Sequence, residues 1–486
     1  MAEINLRKNA VSGALWTATE KIMTQVVSFV FGIILARLLD PSDYGVVGML
    51  GIFFAIAGTF MDSGMGSALI RKNDRTDADL STVFFFNLAT AAFFYTLFYI
   101  TAPWIADFYH MPILKTVMRV VAISLIIGAV TGVQRTVLTI NLQFRKQSII
   151  SIIGLLVSGV TGITLAYMGY GVWALVFQGI ASSVITSAII WATTSWHPKF
   201  IFSKKSFNDL FGFGSKILCS SLINTIYNNL TTLVVGRVYS PADVGYYNRG
   251  NGYANLPTQT VQDMALKVNY PILAKLGDDD EALIRAYKKL LSVPMYILYP
   301  MLIGLAVLGE PLITIMIGEK WLPCVRIMQV LCVGYMFSPL THLNLNLLYV
   351  KARTDLVLKL ELIKKPIAFL LLFASIPFGI IWMVIGKAFY EFIAFSFNCY
   401  YTGKILDYGE LKQLKVLAPI FLNAFIMGGV VMLVMMPFTN PWVKIAVGFP
   451  TGVISYILFS IIIKDQNYEE VKNIIKEKVF AKLKKH

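Results

Sequence analysis

Asn251, Asn255, Gln259, Asp263 and Lys267 follow one another at four-residue spacing, so a helix would carry all of them on one face. Lys216, Ser220, Asn224, Asn228 and Thr231 recur every three or four residues in the run before, which ends at Arg237. Near the N-terminus Thr17, Glu20, Lys21, Thr24, Gln25, Ser28 and Gly32 form a stripe of the same kind, ending at Arg37. Side chains of these types in an apolar setting hold a polar, anionic molecule, because an ammonium in a low-dielectric wall gains most from an opposite charge. Lys21, Lys216, Lys267, Lys364, Lys365 and Lys387 supply such charges. Two blander roles compete. The amides and hydroxyls could join helices through interhelical hydrogen bonds of about 0.6 kcal/mol each, and Glu20 and Lys21 could snorkel to a membrane surface.

The elements that must position these residues follow from composition. The chain has 486 residues, 57% of them apolar and only 14% charged, with a mean hydropathy of +0.68. These values describe an integral membrane protein, since a span needs about 20 predominantly apolar residues. The pattern predicts an all-α polytopic fold with about fourteen spans, at 11–36, 44–66, 80–102, 113–139, 148–168, 171–194, 208–236, 244–271, 287–308, 323–349, 356–376, 379–402, 415–436 and 442–463. Taking the connections alternately, one side holds 27 lysines and arginines and the other 7. The positive-inside rule makes the richer side cytoplasmic, with both termini inside. That distribution also gives the net charge of +15 a membrane meaning and excludes nucleic acid as the partner.

The first apolar run is interrupted by Glu20 and Lys21 and is read as a span, not a cleaved signal. Cys219, Cys324, Cys332 and Cys399 lie in or beside spans without Cys-x-x-Cys spacing, so free buried thiols are expected. No P-loop, His-Glu-x-x-His or Gly-x-Ser-x-Gly occurs, and the histidines are isolated; no cofactor, metal or catalytic activity is expected.

A repeat organises the chain. Arg37, Pro41, Asp43 and Gly45 return as Arg237, Pro241, Asp243 and Gly245, each shifted by 200 positions and each set at the end of an apolar span. Pro41 should stop the first helix, and Ser42 or Asp43 should cap the second. Arg37 and Arg237 could equally compensate helix C-terminal dipoles. The repeated spans cross in the same direction, so the expected domains are parallel six-helix lobes at 1–200 and 201–403, two additional spans at 404–463, and a basic amphipathic tail at 464–486. The last two spans carry almost no charge and read as peripheral. Lys387 and Glu391, four apart, could pair with each other.

Gly13-Ala14-Leu15-Trp16, Leu35-Ala36-Arg37-Leu38-Leu39-x-Pro41-x-Asp43-Tyr44-Gly45, Phe60-x-Asp62-x-Gly64-x-Gly66, Gln134-Arg135, Gly245-Tyr246-Tyr247-Asn248-Arg249 and Gly318-Glu319-Lys320-Trp321 resemble bacterial polysaccharide or lipopolysaccharide exporters of the Wzx flippase type, within the multidrug/oligosaccharidyl-lipid/polysaccharide superfamily. The resemblance extends to about position 460. It implies a flippase of the bacterial inner membrane that moves an undecaprenyl-diphosphate-linked oligosaccharide by alternating access. It implies membrane lipids as surroundings, polysaccharide polymerase and glycosyltransferases as partners, and a functional monomer. The expected substrate-binding residues are Lys216, Arg237, Arg37, Lys267, Asn224, Asn228, Asn255, Gln259, Lys21 and Lys364. Ion coupling is expected at Glu20, Asp62, Asp263 or Glu361, with Glu391 a further candidate. The alternative is an ion-coupled drug or metabolite antiporter on the same scaffold, which would have a smaller, acid-dominated cavity. A membrane-embedded glycosyltransferase or polymerase would need an acidic cluster on a sizeable outer loop, and a mere scaffold would not need intramembrane charge.

Overall fold

The computed structural model describes residues 23–62, 64–264, 269–277 and 279–483, and among these it contains helices and no strand. The chain forms two compact units, Met1–Gly245 and Tyr246–His486.

In the first unit, α1 (Met23–Leu38) leads through the first copy of the repeat into α2 (Pro41–Asp62). Pro41 takes the first helical position, where its missing N–H is not needed. Asp43 supplies the cap from inside the helix, accepting the Asp40 N–H at 3.1 Å. The segment Phe60–Gly66 both breaks and permits close packing. α2 stops at Asp62, and Gly64, at φ 67°, turns the chain into α3 (Met65–Arg71). A side chain at Gly64 would also stand 2.9 Å from the Gly214 carbonyl oxygen, so glycine is required twice over.

α4 (Asp77–Phe108) starts with a capping box of Thr76 and Asp79. Lys72 donates to Asp79 at 2.9 Å, and this bond holds the lysine above its ordinary pKa. α5 (Ile113–Val121), α6 (Ile123–Ile140), α7 (Phe144–Tyr167) and α8 (Val172–Thr193) follow. The basic loop after α8 is stitched to the start of α4: the Lys199 and Ser203 N–H groups donate to Ser81 Oγ and Thr82 Oγ1, each at 3.0 Å. α9 (Lys204–Val238) then runs 35 residues. At 1.5 Å per residue that is about 52 Å, well beyond a hydrocarbon core of about 30 Å. It lies antiparallel to α2, with Thr59 and Thr225 hydroxyls 3.0 Å apart near one end and Gly236 against Met49 near the other.

The second unit begins within α10 (Pro241–Met264) and continues through α11 (Tyr270–Lys275), α12 (Asp280–Val307), α13 (Gly309–Ile317), α14 (Pro323–Tyr335), α15 (Ser338–Val350), α16 (Thr354–Ser375), α17 (Ile380–Leu406), α18 (Glu410–Met435), α19 (Pro441–Ile462) and α20 (Gln466–Leu483). Its core is centred on α12, where Leu283, Tyr287, Leu291, Met295 and Leu302 are fully buried. Asp279 caps this helix through the Ala282 N–H at 2.9 Å, as the acidic run before it implies.

α18 and α19 are better anchored than their low charge indicated. Gln413 donates to Asn344 Oδ1 at 2.8 Å and accepts from Asn344 Nδ2 at 3.0 Å and from the Tyr287 hydroxyl at 3.4 Å. Ser460 accepts from Tyr296 at 2.7 Å and from Asn423 at 2.8 Å. The spacing of Asn467 and Glu470 suggested a cap for the tail. The structure gives that role to Asp465, which accepts the Asn467 N–H at 2.8 Å, while Glu470 pairs with Lys289 at 2.8 Å.

Ten helical segments among the described residues are long and apolar enough to cross a membrane. α1, α9, α10 and α16 occupy the positions of the remaining expected spans. The described part of α1 is short, and the other three carry the charged and amide side chains that lower their hydropathy. These are the helices singled out above for polar residues.

Candidate functional site

The polar stripe of α9 faces away from its packing surface. Leu210, Gly214, Leu218, Thr231, Val234 and Val235 are buried on the side toward the unit, whereas Lys216, Ser220, Asn224 and Asn228 are exposed. Thr231 thus leaves the stripe for the core. Lys216, Ser220, Asn224 and Asn228 make no hydrogen bond or ion pair among the described residues. In hydrocarbon such unpaired amides and an ammonium would be strongly unfavourable, so this face requires water or a polar ligand.

Arg237 closes the stripe. Its Nη1 donates to His110 Nε2 at 3.0 Å, and its guanidinium lies over the Phe108 ring at 5.2 Å. Arg37 is exposed at the end of α1, and Asp62 is exposed at the end of α2. Glu20, Lys21 and Lys267 lie outside the described residues, as does the side chain of Asp263.

In the second unit the α10 stripe divides. Asn255 is half-buried and Gln259 exposed, but Asn251 turns into a cluster with α14 and α17. Its Oδ1 accepts from the Tyr335 hydroxyl at 2.5 Å and from Lys387 Nζ at 3.1 Å. Lys387 also donates to the Tyr247 oxygen at 2.8 Å and sits 5.4 Å and 5.7 Å from the centres of the Tyr247 and Tyr335 rings. The ammonium is therefore engaged across helices by tyrosines and an amide, where spacing had offered Glu391 on its own helix as partner. About three turns further along α10, Gln262 donates to Ser338 Oγ at 3.0 Å.

On α16, Glu361 lies 2.7 Å from Lys364 and 3.5 Å from Lys365. Lys364 is only 2% exposed, so its charge is matched inside the protein by Glu361. Tyr247, Tyr335, His110 and Gln413 were not among the site residues expected from sequence, although Tyr247 stands in one of the motifs that carry the resemblance. Tyr247 had a signal available: it precedes Asn251 by four residues and so shares its face. No group of three or more potential metal ligands occurs among the described residues. Cys324, Cys332 and Cys399 are buried and free, whereas Cys219 is exposed.

Residues 34–326 match the family described as polysaccharide biosynthesis protein. The chain belongs to this family of Wzx-type polysaccharide exporters. The exporter is 28% identical over 355 residues to the teichuronic acid biosynthesis protein TuaB of Bacillus subtilis, covering 72% of this chain and 73% of that one. It is 26% identical over 367 residues to the lipopolysaccharide biosynthesis protein WzxC of Escherichia coli, covering 74% of each. Among solved structures, the lipid II flippase MurJ in an inward closed conformation superposes with a TM-score of 0.76 at 16% identity, over 93% of the exporter and 99% of that chain. An inward-facing multidrug resistance MATE family transporter gives 0.58 at 14% identity, over 79% and 95%. These likenesses establish the fold of the exporter as that of the MurJ and MATE transporters.

Proposed function

We propose that this exporter is a flippase that carries an undecaprenyl-diphosphate-linked oligosaccharide from the cytoplasmic to the outer leaflet of the bacterial inner membrane by alternating access. The unpaired row Lys216, Asn224 and Asn228 on α9 carries this reading, because it offers one cation and a ladder of amides to a charged head group with sugars attached. The names of its relatives support the cargo class: WzxC and TuaB belong to biosynthesis of surface polymers, and the 26% identical ExoT of Rhizobium meliloti is named a succinoglycan biosynthesis transport protein.

In this reading Lys216 and Lys21 receive the diphosphate from the cytoplasmic side, and Arg237 and Arg37 meet it late, near the outer mouth. Asn224, Asn228, Asn255 and Gln259 hydrogen-bond the sugars, and Lys267 adds charge. Lys364, held by Glu361, becomes available to an anion only when that pair opens. Glu20, Asp62, Asp263 and Glu361 are the coupling candidates. The helices make fourteen crossings with both termini cytoplasmic, in lobes of 1–200 and 201–403 followed by the spans of 404–463 and the tail.

Deleting the gene in its native host tests the reading. Lipid-linked oligosaccharide should accumulate on the cytoplasmic leaflet while surface polysaccharide is lost, and re-expression should reverse both. Unchanged levels of both would rule the function out.

A further inference from the structure

The repeated turn that marks the sequence duplication is also a contact. In each copy a proline begins a helix and a glycine follows four residues later, so the proline carbonyl and the glycine lie on one face. These faces meet reciprocally. A Cβ added at Gly45 would stand 1.7 Å from the Pro241 carbonyl oxygen, and one added at Gly245 would stand 2.1 Å from the Pro41 carbonyl oxygen. Residue and partner exchange roles between the copies, which is the signature of a two-fold contact. All of these residues belong to the first unit.

Each turn is stiffened from within. Asp243 accepts from the Ser240 N–H at 3.0 Å and from its hydroxyl at 2.7 Å, and the Ser240 Oγ accepts the Asp243 N–H at 3.2 Å. Asp43 accepts the Asp40 N–H in the equivalent place. The helix starts meet backbone to backbone, beside the contact of Gly236 with Met49 between α9 and α2. Weak Cα–H to carbonyl contacts of this kind favour close approach and hold it loosely.

We propose that these turns form a latch closing the outer end of the transport path, with Gly45 and Gly245 as the positioning residues that let it shut. The role in transport rests on the export reading; the latch itself rests on the geometry alone. Neither glycine has a positive φ, so alanine fits each backbone and favours the helix. Its only cost is the contact. Gly51 and Gly252, on the same two helices, have nothing within 4 Å of an added Cβ and serve as controls.

The test is a spin-label distance measurement on the full-length protein in lipid nanodiscs, with labels at Ser42→Cys and Ala242→Cys and the exposed Cys219 replaced by serine. The parent should show a short-distance population. Gly45→Ala and Gly245→Ala should each lose most of it, and the double substitution all of it, whereas Gly51→Ala and Gly252→Ala should retain it. Equal short-distance populations in all variants would overturn the latch. The same alanine variants, at parental expression and melting temperature, should lose export several-fold. Wild-type export from a variant that has lost the short distance would overturn the role in transport. If the distances respond as expected but gene deletion leaves lipid-linked oligosaccharide unchanged, the export reading fails and the latch stands.

Discussion

Asn224 and Asn344 are asparagines in helices of similar apolar setting, and they have opposite fates. Asn344 is fully buried, with both ends of its amide engaged by Gln413. Asn224 is exposed on α9 and has no partner among the described residues. The amide is the same, and its surroundings decide whether it joins helices or stays available. In the α12, α15 and α18 cluster every bond formed raises the cost of moving. Along α9 no described residue pairs with Lys216, Asn224 or Asn228, so on the proposed reading a ligand meets groups that need not first be released. The comparison separates an anchored scaffold from the face proposed to carry the cargo.

The largest effect should come from breaking the pair between the buried Lys364 and the partly exposed Glu361. Glu361→Gln leaves Lys364 without its nearest counter-charge and should destabilise the protein by about 3 kcal/mol or more, read as a fall in melting temperature in detergent. Adding Lys364→Met should recover most of it. Next, Gln413→Leu strands the Asn344 amide and the Tyr287 hydroxyl and should cost about 1–3 kcal/mol. If Gln413→Leu melted like the parent, the anchored side of the comparison would be lost. A smaller loss, about 0.6 kcal/mol, is expected for Thr59→Val, which removes one hydroxyl from the α2–α9 contact. Asn224→Ala and Asn228→Ala should change stability by no more than about 0.5 kcal/mol, because no protein partner is orphaned.

Much of this was legible in the sequence. Hydropathy located the helices, since the described parts of the expected spans fall on helices, and the recurrence of Arg, Pro, Asp and Gly marked a turn that occurs twice. The α9 stripe was readable because one side of a helix has a fixed period. Which stripe residues stay unpaired was not readable, since pairing depends on helices distant in sequence: Asn251 meets Lys387, 136 residues away, and Gln413 meets Asn344, 69 residues away. Thr231 fits the stripe by spacing but turns into the core. Lys364 and Lys365 read as cavity cations, whereas Glu361 lies within reach of both. The reciprocal fit of Gly45 and Gly245 was equally hidden, because a repeat in sequence does not reveal that its copies touch.

The most direct test of the unpaired face is lipid-linked oligosaccharide export by the triple variant Lys216→Ala, Asn224→Ala and Asn228→Ala, measured beside Gln413→Leu at matched expression. The triple variant should melt like the parent and accumulate lipid-linked oligosaccharide on the cytoplasmic leaflet as the deletion strain does, whereas Gln413→Leu should lose stability and keep export in proportion to folded protein. Parental export by a fully folded triple variant would contradict the assignment of α9 as the transport surface.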